Sequence, residues 1–224
     1  MRAFFTLIYA FNANWIGYLN LHSAVVDPEK IGVLLVDAQP AFLDTMFGSK
    51  DPLIVRLEYL LMLADLFKLP LIATFEHPVE TKGWFPERLE KAFPAHGLKF
   101  VKKTFNACSD AFVNQAIRKL PVKQFALAGG ETDVCILQSA LGVLEMGFEV
   151  FLLEDSIFSS EPHPRPAIDR MYQAGVIPCT FKTLFYELLR AVGEESWPKE
   201  ARARIGSFPT EFFQVEKLPP WEPA

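Results

Sequence analysis

The chain is poor in the residues that build cross-links and metal clusters. Its 224 residues hold three cysteines, Cys108, Cys135 and Cys179, and four histidines. An odd and sparse cysteine set is not a disulfide framework. No Cys-x-x-Cys pair is present to seed a structural zinc site. A reducing, cytoplasmic setting is therefore expected. Long runs of one charge are also missing. Lys and Arg number 22 against 27 Asp and Glu, a formal net charge of −5. That balance gives no electrostatic reason for nucleic acid or an anionic membrane as partner. No apolar run reaches the length of a membrane span. Internal repeats and low-complexity segments are absent too.

What the chain does have is apolar mass. Half of its residues are hydrophobic and 21 are phenylalanine. The rings are not interleaved with clustered Lys and Arg, so they read as core and subunit contacts rather than a base-stacking platform. The first 30 residues include the apolar run 3–11 behind Arg2. That run superficially resembles a signal peptide, but it carries one positive charge and no clear small-x-small site. An N-terminal extension, either an extra strand or an arm docked on another subunit, is the expectation for 1–30. From Gly193 onward the chain carries Pro198, Pro209, Pro219 and Pro220 with little periodicity. It reads as a C-terminal tail holding Trp197 and Trp221. Two apolar extensions favour association, and a homo-oligomer is expected.

Between them, residues 31–192 alternate short apolar runs with amphipathic stretches. "IGVLLVD" (31–37) reads as a buried parallel strand. The stretch 51–69 places Leu53, Leu57, Leu60, Leu61, Ala64 and Phe67 on one helix face, with Pro52 in the first turn. Strands follow at 70–76 and 98–103. A helix over 109–120 has Ser109 as its expected N-cap. Then come a strand at 122–129, a helix from about Asp133 to Met146 closed by Gly147, and a strand at 148–155. A helix at 165–175, a short strand at 176–179 and a helix at 182–192 complete the series. Alternation of this kind specifies right-handed crossovers and one parallel sheet covered on both faces. The predicted fold class is α/β, a three-layer αβα sandwich with a six-stranded parallel sheet.

Ligands of parallel sheets collect at the carboxyl ends of the strands, and three places there carry chemistry. Asp37 ends the first strand; it is either a turn or cap residue or a general base. Lys102 and Lys103 end the third. Neighbours in a strand face opposite sides, so one lysine can enter a site while the other meets solvent, although a lysine near a strand end is ordinarily solvated. Cys135 follows the fourth strand. Free cysteine is commonly core filler, yet Gly129 and Gly130 supply a tight strand-to-helix turn. With Thr132 as N-cap, the thiol falls at about the third helical residue. There the helix dipole lowers a thiol's pKa, and unpaired backbone N–H groups can bind an oxyanion.

In that order these elements resemble the isochorismatase-like cysteine hydrolases. "VLLVDAQPAF" is similar to the family's Asp-x-Gln opening, with Asp37 and Gln39. "FVKKTFNAC" is similar to its lysine block, in which Phe105 and Asn106 have the right spacing from Lys102 rather than Lys103. "GGETDVCILQSALGVLEMGFEVFLLEDS" is similar to its Thr-x-x-Cys, helix, glycine, strand, Asp block. The resemblance implies a catalytic triad of Asp37, Lys102 and Cys135. It implies a cis peptide at Gly130–Glu131, with the Glu131 and Cys135 N–H groups as an oxyanion hole. It also implies a small substrate held by Phe42, Trp84, Phe85 and Phe105.

There are departures. Nicotinamidases of the family hold a metal through Asp-x-His and a further His. Here "TFEHP" puts Phe75 in place of that Asp, leaving His77 with His96 as a distant second, so neither a metal nor another cofactor is expected. Isochorismate cleavage in the superfamily does not need the cysteine, so Cys135 points to amide or related C–N hydrolysis. Two readings compete with the enzyme. A silent, oligomeric binding or scaffold protein would keep the fold without the chemistry. A nucleotide-binding domain is opposed by "GGETDVC", which is neither a dinucleotide fingerprint nor a P-loop.

Overall fold

The computed structural model describes residues 25–191. The expected N-terminal arm and C-terminal tail fall almost wholly outside that span. Six strands run in chain order as β1 (Ile31–Val36), β2 (Leu71–Glu76), β3 (Leu98–Lys102), β4 (Gln124–Gly130), β5 (Glu149–Phe158) and β6 (Ile177–Cys179). The helices are α1 (Pro40–Leu43), α2 (Lys50–Leu66), α3 (Val79–Lys82), α4 (Glu87–Ala92), α5 (Ala111–Lys119), α6 (Leu137–Glu145), α7 (Arg165–Gln173) and α8 (Phe181–Leu189).

All six strands are parallel, in the order β3-β2-β1-β4-β5-β6. The predicted six-stranded parallel sheet is therefore present. Period-two alternation divides its side chains between two cores. Val33 and Leu35 of β1 join Leu57, Leu60, Leu61 and Ala64 of α2 and Leu184, Phe185 and Leu188 of α8. Leu34 and Val36 face the other way, onto Val113 and Ile117 of α5, Ala140 and Val143 of α6, and Ile168 and Met171 of α7. Because β1 is buried on both faces, its sequence shows a continuous apolar run rather than alternation.

Two helix starts differ from the sequence expectation. Asp110, not Ser109, caps α5; its side chain accepts from the N–H groups of Phe112 and Val113. Ser109 is spent in a short 3₁₀ turn over Ala107–Ser109, opened by Asn106. The second difference follows β4. Thr132 is not an N-cap: its hydroxyl donates to the Phe158 carbonyl at 3.0 Å. A wide π-type turn occupies Thr132–Ile136, and the regular α-helix begins only at Leu137. β5 runs on to Phe158, past the expected end at 155, because its far end pairs Ile157 and Phe158 with Gly129 and Gly130 after a register shift.

The strand order reverses around β1, whose successor β2 lies on one side while β4 lies on the other. Such a switch point opens a crevice beyond the strand ends. Asp37, Glu76 and Cys135 follow or end the three strands that border it.

Candidate active site

Asp37 is the first residue beyond β1, with φ 47°. Asp tolerates this left-handed region better than most side chains. Its N–H donates to the Thr74 carbonyl of β2. The side chain is fully buried, and each oxygen is bound: Oδ1 accepts from the Thr74 hydroxyl at 2.9 Å and Oδ2 from Lys102 Nζ at 2.5 Å. Burial pushes the Asp37 carboxyl above the usual range, against the pull of Lys102 and Thr74.

Lys102 comes from β3, two strands away from β1. Strands lie about 4.8 Å apart, so roughly 10 Å must be crossed. The four-carbon stem of a lysine covers much of that distance, and Asp37 reaches out for the rest. Nζ also donates to the Thr104 carbonyl at 2.9 Å and lies 3.8 Å from Cys135 Sγ. Lys103 is exposed, as period-two alternation requires.

The turn carrying Cys135 depends on two glycines. Gly129 has φ 110°, and a Cβ there would lie 1.9 Å from the Val36 carbonyl oxygen. A Cβ on Gly130 would lie 2.4 Å from the Phe158 ring. The Gly130–Glu131 peptide is cis, as the resemblance implied. Cys135 is buried, at 3 % exposure.

The sequence reading expected the thiol's pKa to fall. It rises instead. Burial is the main cause, Asp37's negative charge adds to it, and Lys102 only partly offsets them. The resting group is a protonated thiol beside an acceptor, not a standing thiolate. Cys108 and Cys179 are also buried and unpaired, with thiols pushed up to about 12 mainly by burial.

One neighbour was missed. Glu76, the last residue of β2, places Oε2 3.4 Å from Cys135 Sγ. Lys82 of α3 binds its other oxygen. Gln39 fixes its backbone, accepting from the Glu76 N–H at 2.6 Å and donating to the Glu76 and Gly83 carbonyls at 3.2 and 2.7 Å. The signal was available: Glu76 ends an apolar strand just as Asp37 follows one. In the Asp-x-His pattern Glu76 is the unspecified middle residue, between Phe75 and His77.

Ligating atoms of Asp37, Glu76 and Cys135 lie within 4.8 Å of one another. The set does not fit a metal centre, because the ammonium of Lys102 already stands against both Asp37 and Sγ as the local cation. Neither His77 nor His96 adds to it. His77 is exposed, and His96 binds the Leu69 carbonyl at the opposite end of β2.

The aromatic residues divide. Phe42 is half-buried, with Lys82 Nζ 5.5 Å from its ring centre. Trp84 and Phe105 are 49 % and 53 % exposed. Phe85 is turned into the core, edge-on to Phe75 at 4.6 Å and next to Phe93.

Residues 69–183 match the family model of the isochorismatase domain. The chain belongs to the isochorismatase family. The matched span begins after β1, so it includes Lys102 and Cys135 but not Asp37. Isochorismatase family protein 1B of Dictyostelium discoideum is 27 % identical over 173 residues, covering 76 % of this chain and 84 % of the relative. YcaC from Pseudomonas aeruginosa, solved with hexane-2,5-diol and covalent acrylamide, superposes with a TM-score of 0.74 at 25 % identity, covering 88 % of this chain and 97 % of its own. YcaC from Escherichia coli, described as an octameric hydrolase of unknown specificity, gives a TM-score of 0.71 at 26 % identity over 87 % and 98 % of the two chains. Among the described residues no helix is long and apolar enough to cross a membrane.

Proposed function

We propose that this isochorismatase-family protein is a cysteine hydrolase that cleaves an amide-type C–N bond of a small molecule through Asp37, Lys102 and Cys135. One observation carries the reading: Lys102 Nζ lies 2.5 Å from Asp37 Oδ2 and 3.8 Å from Cys135 Sγ, with all three side chains buried. Burying a carboxylate and an ammonium together carries a desolvation cost that their attraction repays only in part, and such costly arrangements cluster at functional sites.

In the proposed reaction Asp37 takes the thiol proton as Sγ attacks the carbonyl carbon. Its raised pKa suits a base that must accept a proton near neutrality. The Glu131 and Cys135 N–H groups receive the oxyanion. The C–N bond breaks, and the proton on Asp37 passes to the departing nitrogen. Water then cleaves the thioester, while Lys102 stabilises the thiolate as it leaves. In this reading Phe42, Trp84 and Phe105 supply an apolar wall for the substrate, and Phe85 packs with Trp84 on Phe75. The covalent acrylamide in a relative supports a reactive nucleophile in this family, since acrylamide is an electrophile.

The octameric relative supports a homo-oligomer for this chain, and the three unpaired cysteines suit a reducing cytoplasm. A screen of small amides, hydroxamates and ureido acids, read by ammonia release, tests the function. At least one compound should be turned over by the wild type and by neither Cys135→Ala nor Asp37→Asn. Turnover that survives Cys135→Ala would exclude the cysteine mechanism.

A further inference from the structure

We infer that Glu76 is the base that activates the hydrolytic water in the second half of the reaction, a role that rests on the acyl transfer to Cys135 proposed above. Four observations converge on it. Glu76 Oε2 is 3.4 Å from Sγ, so the carboxylate borders the atom on which an acyl group would be carried. The oxygen is held in place from both sides: Gln39 grips the backbone N–H and carbonyl of the residue, and Lys82 holds Oε1. Its side chain keeps 14 % of its surface open, whereas Asp37 is fully buried. Finally, Thr74 and Lys102 cover the two oxygens of Asp37, which reaches no solvent. Water arriving from the mouth of the crevice meets Glu76 before it can meet Asp37.

The step balances without any further reactant. The water oxygen attacks the thioester carbonyl carbon as Glu76 Oε2 takes one water proton. The carbon–sulfur bond breaks, the acid product leaves, and the proton passes from Glu76 to the Cys135 thiolate. The site thereby returns to a thiol beside two carboxylates. Two carboxylates thus divide the labour. The buried one serves the attack of the thiol, and the one at the mouth serves the attack of water. The same placement explains why Glu76 is paired with Lys82. An unpaired carboxylate so close to Asp37 and Sγ would raise the energy of any negative charge developing on sulfur.

The full-length protein with p-nitrophenyl acetate as acyl donor tests the inference. Nitrophenolate release separates a first, acylating phase from steady turnover. Acid quenching and peptide mass spectrometry read acetylation of Cys135. Glu76→Gln keeps the shape of the side chain and removes its basicity. It is expected to acylate, to lose steady turnover by roughly 10²-fold or more, and to accumulate acetyl-Cys135. Glu76→Asp retains a carboxylate drawn back from the thiol and is expected to recover part of the turnover. If Glu76→Gln shows unchanged steady turnover, or loses both phases together without acetyl-Cys135, the inference is wrong. The reading of Cys135 survives that outcome provided that Cys135→Ala still removes the wild-type release. If Cys135→Ala releases nitrophenolate as the wild type does, both readings fail.

Discussion

Lys102 crosses a whole strand to meet Asp37, and the two charged ends touch at 2.5 Å where neither side chain reaches solvent. The pair ties the edge strand β3 to the centre of the sheet. It also holds the carboxylate beside a thiol that neither residue neighbours in sequence.

Removing one partner leaves a buried charge behind. Lys102→Met should destabilise the fold by about 3–5 kcal/mol at neutral pH. The double change Asp37→Leu with Lys102→Met should be the milder of the two, because it buries no charge. Urea unfolding followed by circular dichroism measures both. A Lys102→Met loss of under about 1 kcal/mol, the size of a surface pair, would mean the two charges are not buried together in solution.

The thiol's direction of shift has a kinetic consequence. Burial and the Asp37 charge hold Cys135 protonated, so its alkylation by iodoacetamide should keep accelerating as pH rises from 7 through 9. Asp37→Asn removes the adjacent negative charge and should speed labelling at a given pH while stopping turnover. Lys102→Ala should slow it. A labelling rate at Cys135 already level by pH 7, with Cys108 and Cys179 as internal references, would point to a standing thiolate.

Gln39 bridges β1, β2 and the end of α3. Gln39→Ala leaves the Glu76 N–H without its acceptor and strips a donor from the Glu76 and Gly83 carbonyls. A buried unsatisfied group costs roughly 1–3 kcal/mol, so a stability loss of that order is expected. Activity should fall further than the stability loss explains, because Glu76 loses its anchor. Turnover by the folded fraction of Gln39→Ala, compared with that of the wild type, is the measurement. Equal activities would show that the bridge is structural alone.

Much of this arrangement was legible from strand ends. An apolar run that stops at Asp37, a strand that ends at Lys102, and a double glycine ahead of Cys135 are local patterns, and the sheet brings local patterns together at one edge. Period-two alternation admits only one of Lys102 and Lys103 to the site, and the resemblance of "FVKKTFNAC" to the family's lysine block points to Lys102. Other features depend on long-range packing and left no local mark. Nothing near Thr132 indicates that its hydroxyl will be drawn to Phe158, 26 residues away. The choice between Ser109 and Asp110 as cap turned on a 3₁₀ turn that consumed the serine. The direction of the Cys135 shift was misjudged because the helix start and the lysine are visible in sequence, whereas depth of burial is not. Glu76 was missed for a different reason. The strand-end rule that singles out Asp37 applies to it equally, but its partner Lys82 lies in a four-residue helix with no periodic signature.

Alkaline pH should destabilise the fold through its buried thiols. Cys108 and Cys179 are pushed by burial from 9.0 to about 12. Between those values the folded chain keeps protons that the unfolded chain has released, so stability falls as pH rises. The melting temperature should decline steadily from pH 9 upward, and the slope should flatten in a Cys108→Ala, Cys179→Ala double variant. An identical slope in both proteins would show that these thiols ionise freely in the folded chain.

The most direct test of the account is the fate of the Cys135 sulfur during turnover. A compound that the wild type hydrolyses is mixed with the enzyme, quenched in acid during the first turnovers and digested, and the three cysteine peptides are weighed. The account predicts the acyl group of the substrate on the Cys135 peptide, none on Cys108 or Cys179, and no turnover by a folded Cys135→Ala protein. An unmodified Cys135 peptide, with Cys135→Ala hydrolysing the same compound at the wild-type rate, would contradict it.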